Sequence, residues 1–153
     1  MEAFSGSGQS LLQQYDAADG GTLTMTDAEE QPLIWIGRAD YARLLRVSDR
    51  LSVHAPEVSA FLAKELDRAI VRKEDDIPRD VVRMGRRFQF RRTEDAAVEW
   101  GELAYPEQAA TDGRISVASP LGAALLGLRR GARMKYLDGG AIRRLSVERV
   151  PPD

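Results

Sequence analysis

The chain has 153 residues, 43% of them hydrophobic, with 22 Lys and Arg against 24 Asp and Glu and a net charge of −2, which suits one domain with an appended element. No cysteine and a single histidine, His54, exclude disulfides, thiolate metal sites, a cysteine nucleophile and a multi-histidine metal centre. No run reaches the roughly 20 apolar residues of a membrane helix and no secretory signal opens the chain, so a cytoplasmic protein without membrane contact is expected.

Residues 1–33 carry six acids and no Lys or Arg. With Gly-Ser-rich stretches and no apolar period, they are expected to form a disordered acidic leader. Met25 offers an alternative start, which would make residues 1–24 an extended beginning. The remainder holds 22 basic and 18 acidic residues, and 19 of the basic ones are arginine, the side chain suited to planar pairing with carboxylate or phosphate. That surplus is too mild to indicate nucleic-acid binding by itself.

Leu33-Ile34-Trp35-Ile36 reads as a lead-in strand. Residues 38–52 show helical spacing through Tyr41, Leu44, Leu45, Ser48 and Leu51. A second helix is predicted over 56–73, with Pro56 near its start. Its apolar face is Val58, Phe61, Leu62, Leu66, Ala69 and Ile70. The short link makes the pair an antiparallel hairpin, a short coiled coil over 34–76. The polar, Pro-broken stretch 74–80 marks a boundary, and the period then becomes two. Val82, Met84, Phe88 and Phe90 alternate with Arg83, Arg87, Gln89 and Arg91 as a strand. Val98 to Tyr105 predicts another, with a phase slip at Gly101 read as a bulge. Asp112-Gly113 turns into a third strand. Ser119-Pro120 starts a helix, serine as N-cap and proline at the first helical position, and Gly131 is read as its stop. Strands near 132–137 and 142–149 flank the hairpin turn Asp138-Gly139-Gly140. The expected fold class is α+β, a helical hairpin followed over 77–150 by an antiparallel sheet with one short helix.

The run from Ile115 to Gly131, ISVASPLGAALLGLRRG, resembles the C-terminal domain shared by Gre transcription factors and the regulator of nucleoside diphosphate kinase family. Glu65-Leu66-Asp67-Arg68-Ala69, Ile77-Pro78-Arg79-Asp80-Val81-Val82-Arg83-Met84 and Leu103-Ala104-Tyr105-Pro106 match as well, over about residues 34–150. With its short hairpin, the chain is more similar to the second of these families. The resemblance implies an FKBP-like C-terminal domain. It also implies docking of RNA polymerase at the rim of its secondary channel, with Ser119, Pro120 and Leu121 at the positions that contact the rim in Gre factors. Two departures, Ala132 after Gly131 and Leu137-Asp138-Gly139-Gly140 in place of a Pro-x-Gly turn, fall on the strand after the helix.

Gre factors use two carboxylates at the tip of a long hairpin to help hold a Mg²⁺ ion in the polymerase active centre. The acids nearest this tip are Asp49 and Glu57, on opposite sides of the turn. They read better as solvated helix-end charges than as metal ligands, because helices of this length project only about 20–25 Å. Glu74, Asp75 and Asp76 lack the spacing of a calcium loop. Ser119 is in no nucleophile elbow. No cofactor, metal or catalytic residue is expected, and the chain reads as a regulator rather than an enzyme. Arg83 and Arg87, with Arg91, form a basic stripe that reads either as a solvated, acid-paired face or as a docking surface for polymerase. Direct nucleic-acid binding is disfavoured, since few aromatics are interleaved for stacking. The alternative function is a peptidyl-prolyl isomerase, which would need a ring of aromatics from among Phe88, Phe90, Trp100, Tyr105 and Tyr136.

Overall fold

In a computed structural model that describes residues 31–92 and 97–152, the chain enters through β1 (Trp35–Gly37). The expectation for the leader lies outside the described residues up to residue 30. Ile34 and Ile36 are buried while Leu33 is exposed, the alternation of a half-buried strand. Helix α1 (Arg38–His54) follows directly. Its N-terminus is capped from a distance, because Glu74 Oε2 accepts the Ala39 N–H at 3.0 Å. A carboxylate there satisfies an orphan donor and faces the positive end of the helix dipole.

One residue, Ala55, separates α1 from α2 (Pro56–Arg68), so the two helices turn back on each other. Ser48 and Ser59 are buried between them, and each hydroxyl donates to the other's carbonyl, at 3.2 and 2.7 Å. The buried stripe of α1 runs through Leu44, Val47 and Ser48; the expected Leu45 is 43% exposed. Helix α2 ends well short of residue 73. Ala69 turns extended, and β2 (Ile70–Arg72) pairs in parallel with β1, Trp35 opposite Ile70. Ile70 and Val71 are β-branched and suit a strand better than a helix.

The strand expected over 82–91 is broken. Val81 and Met84 make isolated bridges, to Arg129 and Leu103, Gly85 takes a positive φ of 78°, and β3 is confined to Arg87–Arg92. The cause is a competing partner. Val82 N–H donates to Leu128 O and Arg130 N–H to Asp80 O, both at 2.8 Å, while the Arg129 guanidinium forks onto the Asp80 carboxylate at 3.0 and 3.3 Å. Arg83 therefore shares no strand face with Arg87.

Strand β4 (Val98–Ala104) pairs with β3 in unbroken register, so the expected bulge at Gly101 is absent. Gly101, Leu103 and Ala104 are buried while Trp100 is 43% exposed. A side chain at 101 would meet Ile115, Phe88 and Phe90, which is why the inward position carries glycine. The irregularity lies instead where β3 pairs with the strand Ala141–Arg149, at Gln89/Phe90. Strand β5 (Arg114–Ser116) runs parallel to β4, so the sheet is mixed rather than wholly antiparallel. Helix α3 (Pro120–Leu125) precedes the hairpin of β6 (Arg133–Asp138) and β7 (Ala141–Arg149), turned by Gly139 and Gly140 at φ 60° and 84°. The sheet order is β5-β4-β3-β7-β6. Helix α3 stops at Leu125, before the expected end. Gly127, at φ 76°, lies so close to Ile34 and Trp35 that no side chain fits, and its carbonyl accepts the Trp35 N–H at 3.0 Å. Arg129, Arg130 and Gly131 lie beyond the helix. Phe88, Phe90, Leu103, Leu125 and Leu145 share one core with Ile34, Leu44 and Leu62 from the hairpin and its lead-in.

Candidate docking site

Ser119 begins α3 with both faces of its hydroxyl in use. The Oγ donates to Ser116 O at 2.7 Å and accepts the Gly122 N–H at 3.0 Å. This is the expected N-cap, extended into a clamp between the end of β5 and the first turn of the helix. Gly122 permits it, since a Cβ there would stand 2.0 Å from Ser116 O. Ser119 is committed to the backbone, and Ser119, Pro120 and Leu121 are all half-buried.

Arg87 projects from the outer face of β3, and its guanidinium lies over the Trp100 ring, 4.3 Å from the centroid. Arg91 and Arg92 are acid-paired, with Glu148 at 3.7 Å and Glu99 at 3.1 Å. The stripe thus divides: Arg87 stacks on an exposed aromatic, its neighbours are paired, and Arg83 lies before the turn at Gly85.

At the hairpin tip Asp49 and Glu57 are exposed. Among the described residues no group of three or more His, Cys, Asp or Glu is placed to hold a metal ion.

The root of the hairpin is joined to the sheet by a cluster that periodicity could not reveal. Tyr105, just after β4, donates its hydroxyl to Asp40 Oδ1 at 2.7 Å. The Arg43 guanidinium stacks over the Tyr105 ring at 3.6 Å and pairs with Glu107. Burial, reinforced by the bond to Asp40, raises the Tyr105 pKa far above its ordinary value of 10.0. Glu107 is held below 4.5 by a hydrogen bond from its own backbone and then by Arg43. These partners stand more than 60 residues apart in sequence.

The aromatics named for an isomerase are divided between the core and the outer face of the sheet. Phe88 and Phe90 are core, Tyr105 and Tyr136 are 5% and 4% exposed, and Trp100 lies on the outer sheet face under Arg87.

Residues 77–150 match the family described as "Transcription elongation factor, GreA/GreB, C-term". The chain is similar to the regulator of nucleoside diphosphate kinase of Escherichia coli (strain K12), at 34% identity over 119 residues, 76% of this chain and 88% of that protein. The Shigella flexneri protein of the same name matches equally well. A solved structure described as a prokaryotic transcription elongation factor GreA/GreB from Nitrosomonas europaea superposes with a TM-score of 0.62 at 34% identity, covering 76% of this chain and 98% of that one.

Proposed function

Since the chain belongs to the regulator of nucleoside diphosphate kinase family and carries a GreA/GreB C-terminal domain, we propose that it binds RNA polymerase at the rim of the secondary channel. There it competes with Gre-type factors and does not itself stimulate transcript cleavage. Kinship makes it a Gre-like transcription regulator. The observation that carries the rest is the pairing of that domain with a short hairpin. Helices of 17 and 13 residues extend about 25 and 20 Å at 1.5 Å per residue. Metal coordination tolerates errors of only tenths of an ångström, so Asp49 and Glu57 on a hairpin this short act at most sterically or electrostatically.

Docking is assigned to the Ser119-Pro120-Leu121 turn, where Ser119 sets the backbone and Pro120 and Leu121 supply contact area. Arg87 adds a positive charge that steers association with an acidic surface. The test is a stalled elongation complex with labelled RNA, incubated with this protein, a Gre factor, or both. The mixture should suppress Gre-stimulated cleavage, and this protein alone should leave the RNA intact. Cleavage by this protein alone, lost in Asp49→Ala or Glu57→Ala, would overturn the reading.

A further inference from the structure

Strand β4 is seven residues long, yet β5 covers only its end, where Glu102, Leu103 and Ala104 pair with Arg114, Ile115 and Ser116. Beside Val98–Gly101 no strand lies on that side among the described residues. The ladder fixes where the backbone groups of this stretch point. Glu102 N–H donates away from β3, to Gly113 O at 3.0 Å, and successive residues of a strand alternate between one neighbour and the other. Trp100 and Val98, two and four residues earlier, therefore turn their N–H and C=O toward the uncovered edge. Space is open at its upper end, since a Cβ on Gly113 would meet nothing within 4 Å. Other edges of this protein are guarded. Arg72 covers the Val71 carbonyl of β2 with its own guanidinium at 2.8 Å, and Ser119 N–H and Oγ both bond Ser116 O of β5. The open half of β4 instead carries two exposed apolar side chains, Val98 at 41% and Trp100 at 43%.

Arg87 brings its guanidinium across from β3 onto the Trp100 ring, and that guanidinium makes no ion pair or hydrogen bond among the described residues. Its cross-strand neighbour Glu102 is already paired with Arg114, at 3.6 Å, so the row Arg87–Glu102–Arg114 carries one positive charge in excess. Outward N–H and C=O groups at strand spacing are matched by another extended main chain, and the excess charge by a carboxylate. A single aromatic offers a nucleic acid little to stack on. We propose that the open half of the β4 edge takes up an extended, acidic segment of a protein partner. About three or four residues of it would pair with Val98 and Trp100 as an added strand in line with β5. On the outer face an apolar side chain packs on the indole, and a carboxylate two residues away meets Arg87.

The test is titration of the isotope-labelled full chain with the peptide Val-Thr-Glu-Thr-Val-Thr-Glu, whose valines and glutamates share one face, read by amide shifts and hydrogen exchange. The Val98 and Trp100 amides should shift, and their exchange should slow in the complex. The same peptide with lysine for glutamate should bind at least about fivefold more weakly, and Arg87→Gln should bring the two within about twofold. Methylating the peptide nitrogens, which removes the donors and keeps the side chains, should abolish the exchange protection. Val98→Pro takes one outward N–H from the edge and leaves the β3 ladder whole, so it should weaken binding about fivefold, the weight of one hydrogen bond. Where that variant fails to fold, the methylated peptide asks the same of the parent. Leu137→Ala, exposed on the distant β6, should change nothing. Shifts confined to other residues, equal binding of the lysine or methylated peptide, no binding at millimolar peptide, or binding of single-stranded oligothymidylate in place of the peptide would overturn the proposal.

Discussion

Substituting Gly122 by alanine sets helix propensity against space. In a helix interior alanine is favoured over glycine by up to about 1 kcal/mol, so propensity alone predicts a more stable protein. The structure predicts the reverse. The new Cβ would stand 2.0 Å from Ser116 O, 2.7 Å from its carbonyl carbon and 3.0 Å from Val117 Cα. All three are backbone atoms, so no rotamer change relieves the contact. Ordinary contact begins near 3.4 Å, so α3 must lift by more than about 1 Å. That movement breaks the Ser119 clamp, whose bonds to Ser116 O and Gly122 N–H are 2.7 and 3.0 Å long. Overpacking costs about 1–3 kcal/mol, toward the upper end against rigid backbone, and a lost N-cap about 1 kcal/mol. Offset by propensity, the net loss is about 3 kcal/mol. Urea unfolding followed by the fluorescence of Trp35 and Trp100 reads it as a midpoint lower by about 1–2 M. Gly131→Ala is the comparison: its φ is 86° with nothing within 4 Å, so it should cost only the left-handed backbone, about 1–2 kcal/mol. A Gly122→Ala midpoint at or above that of the parent would refute the reasoning, since α3 would then have room to relax.

Leu125→Ala, at a position 0% exposed, should cost about 3–4 kcal/mol by the same assay, while Leu137→Ala, 65% exposed, should stay within about 0.5 kcal/mol. Tyr105→Phe should lose about 1 kcal/mol near neutral pH through its bond to Asp40. Because the folded pKa of Tyr105 lies above its ordinary 10.0, its contribution is complete below that pH and is lost as pH rises above it; alkaline denaturation curves of parent and variant should converge. Glu107 has the opposite sign. Its lowered pKa makes the pairing with Arg43 fade as pH falls below the usual carboxylate range, and Glu107→Gln should remove that part of the acid limb. Pro120→Ala should change the unfolding midpoint little yet weaken capture of RNA polymerase; capture equal to that of the parent would move the docking surface elsewhere.

Order and chemistry of the elements could be read from the chain wherever the signal was local. Apolar spacing marked α1 and the start of α2. Ser119-Pro120 marked α3, because a cap and a first-turn proline act within four residues, and Asp138-Gly139-Gly140 marked its turn because positive φ is a property of the residues themselves. The resemblance of residues 115–131 supplied the family, which no periodicity contains. What the sequence could not decide was which of two satisfactory partners a segment would take. Residues 82–91 alternate well enough for a strand, but Val82 bonds to Leu128, and Asp80 just before it to Arg129 and Arg130, so Arg83 parts from Arg87. Ile70 continues an apolar helical stripe, yet it pairs with Trp35 of β1 and, with Val71, forms β2. Trp100 and Gly101 mimic a phase slip until Phe88, Phe90 and Ile115 occupy the space inside the sheet. The Asp40–Tyr105 bond and the Arg43–Glu107 pair join groups more than 60 residues apart. Local propensity is a property of a few adjacent residues, whereas these choices are made by competition among distant hydrogen-bond and packing partners, which exist only once the chain has folded.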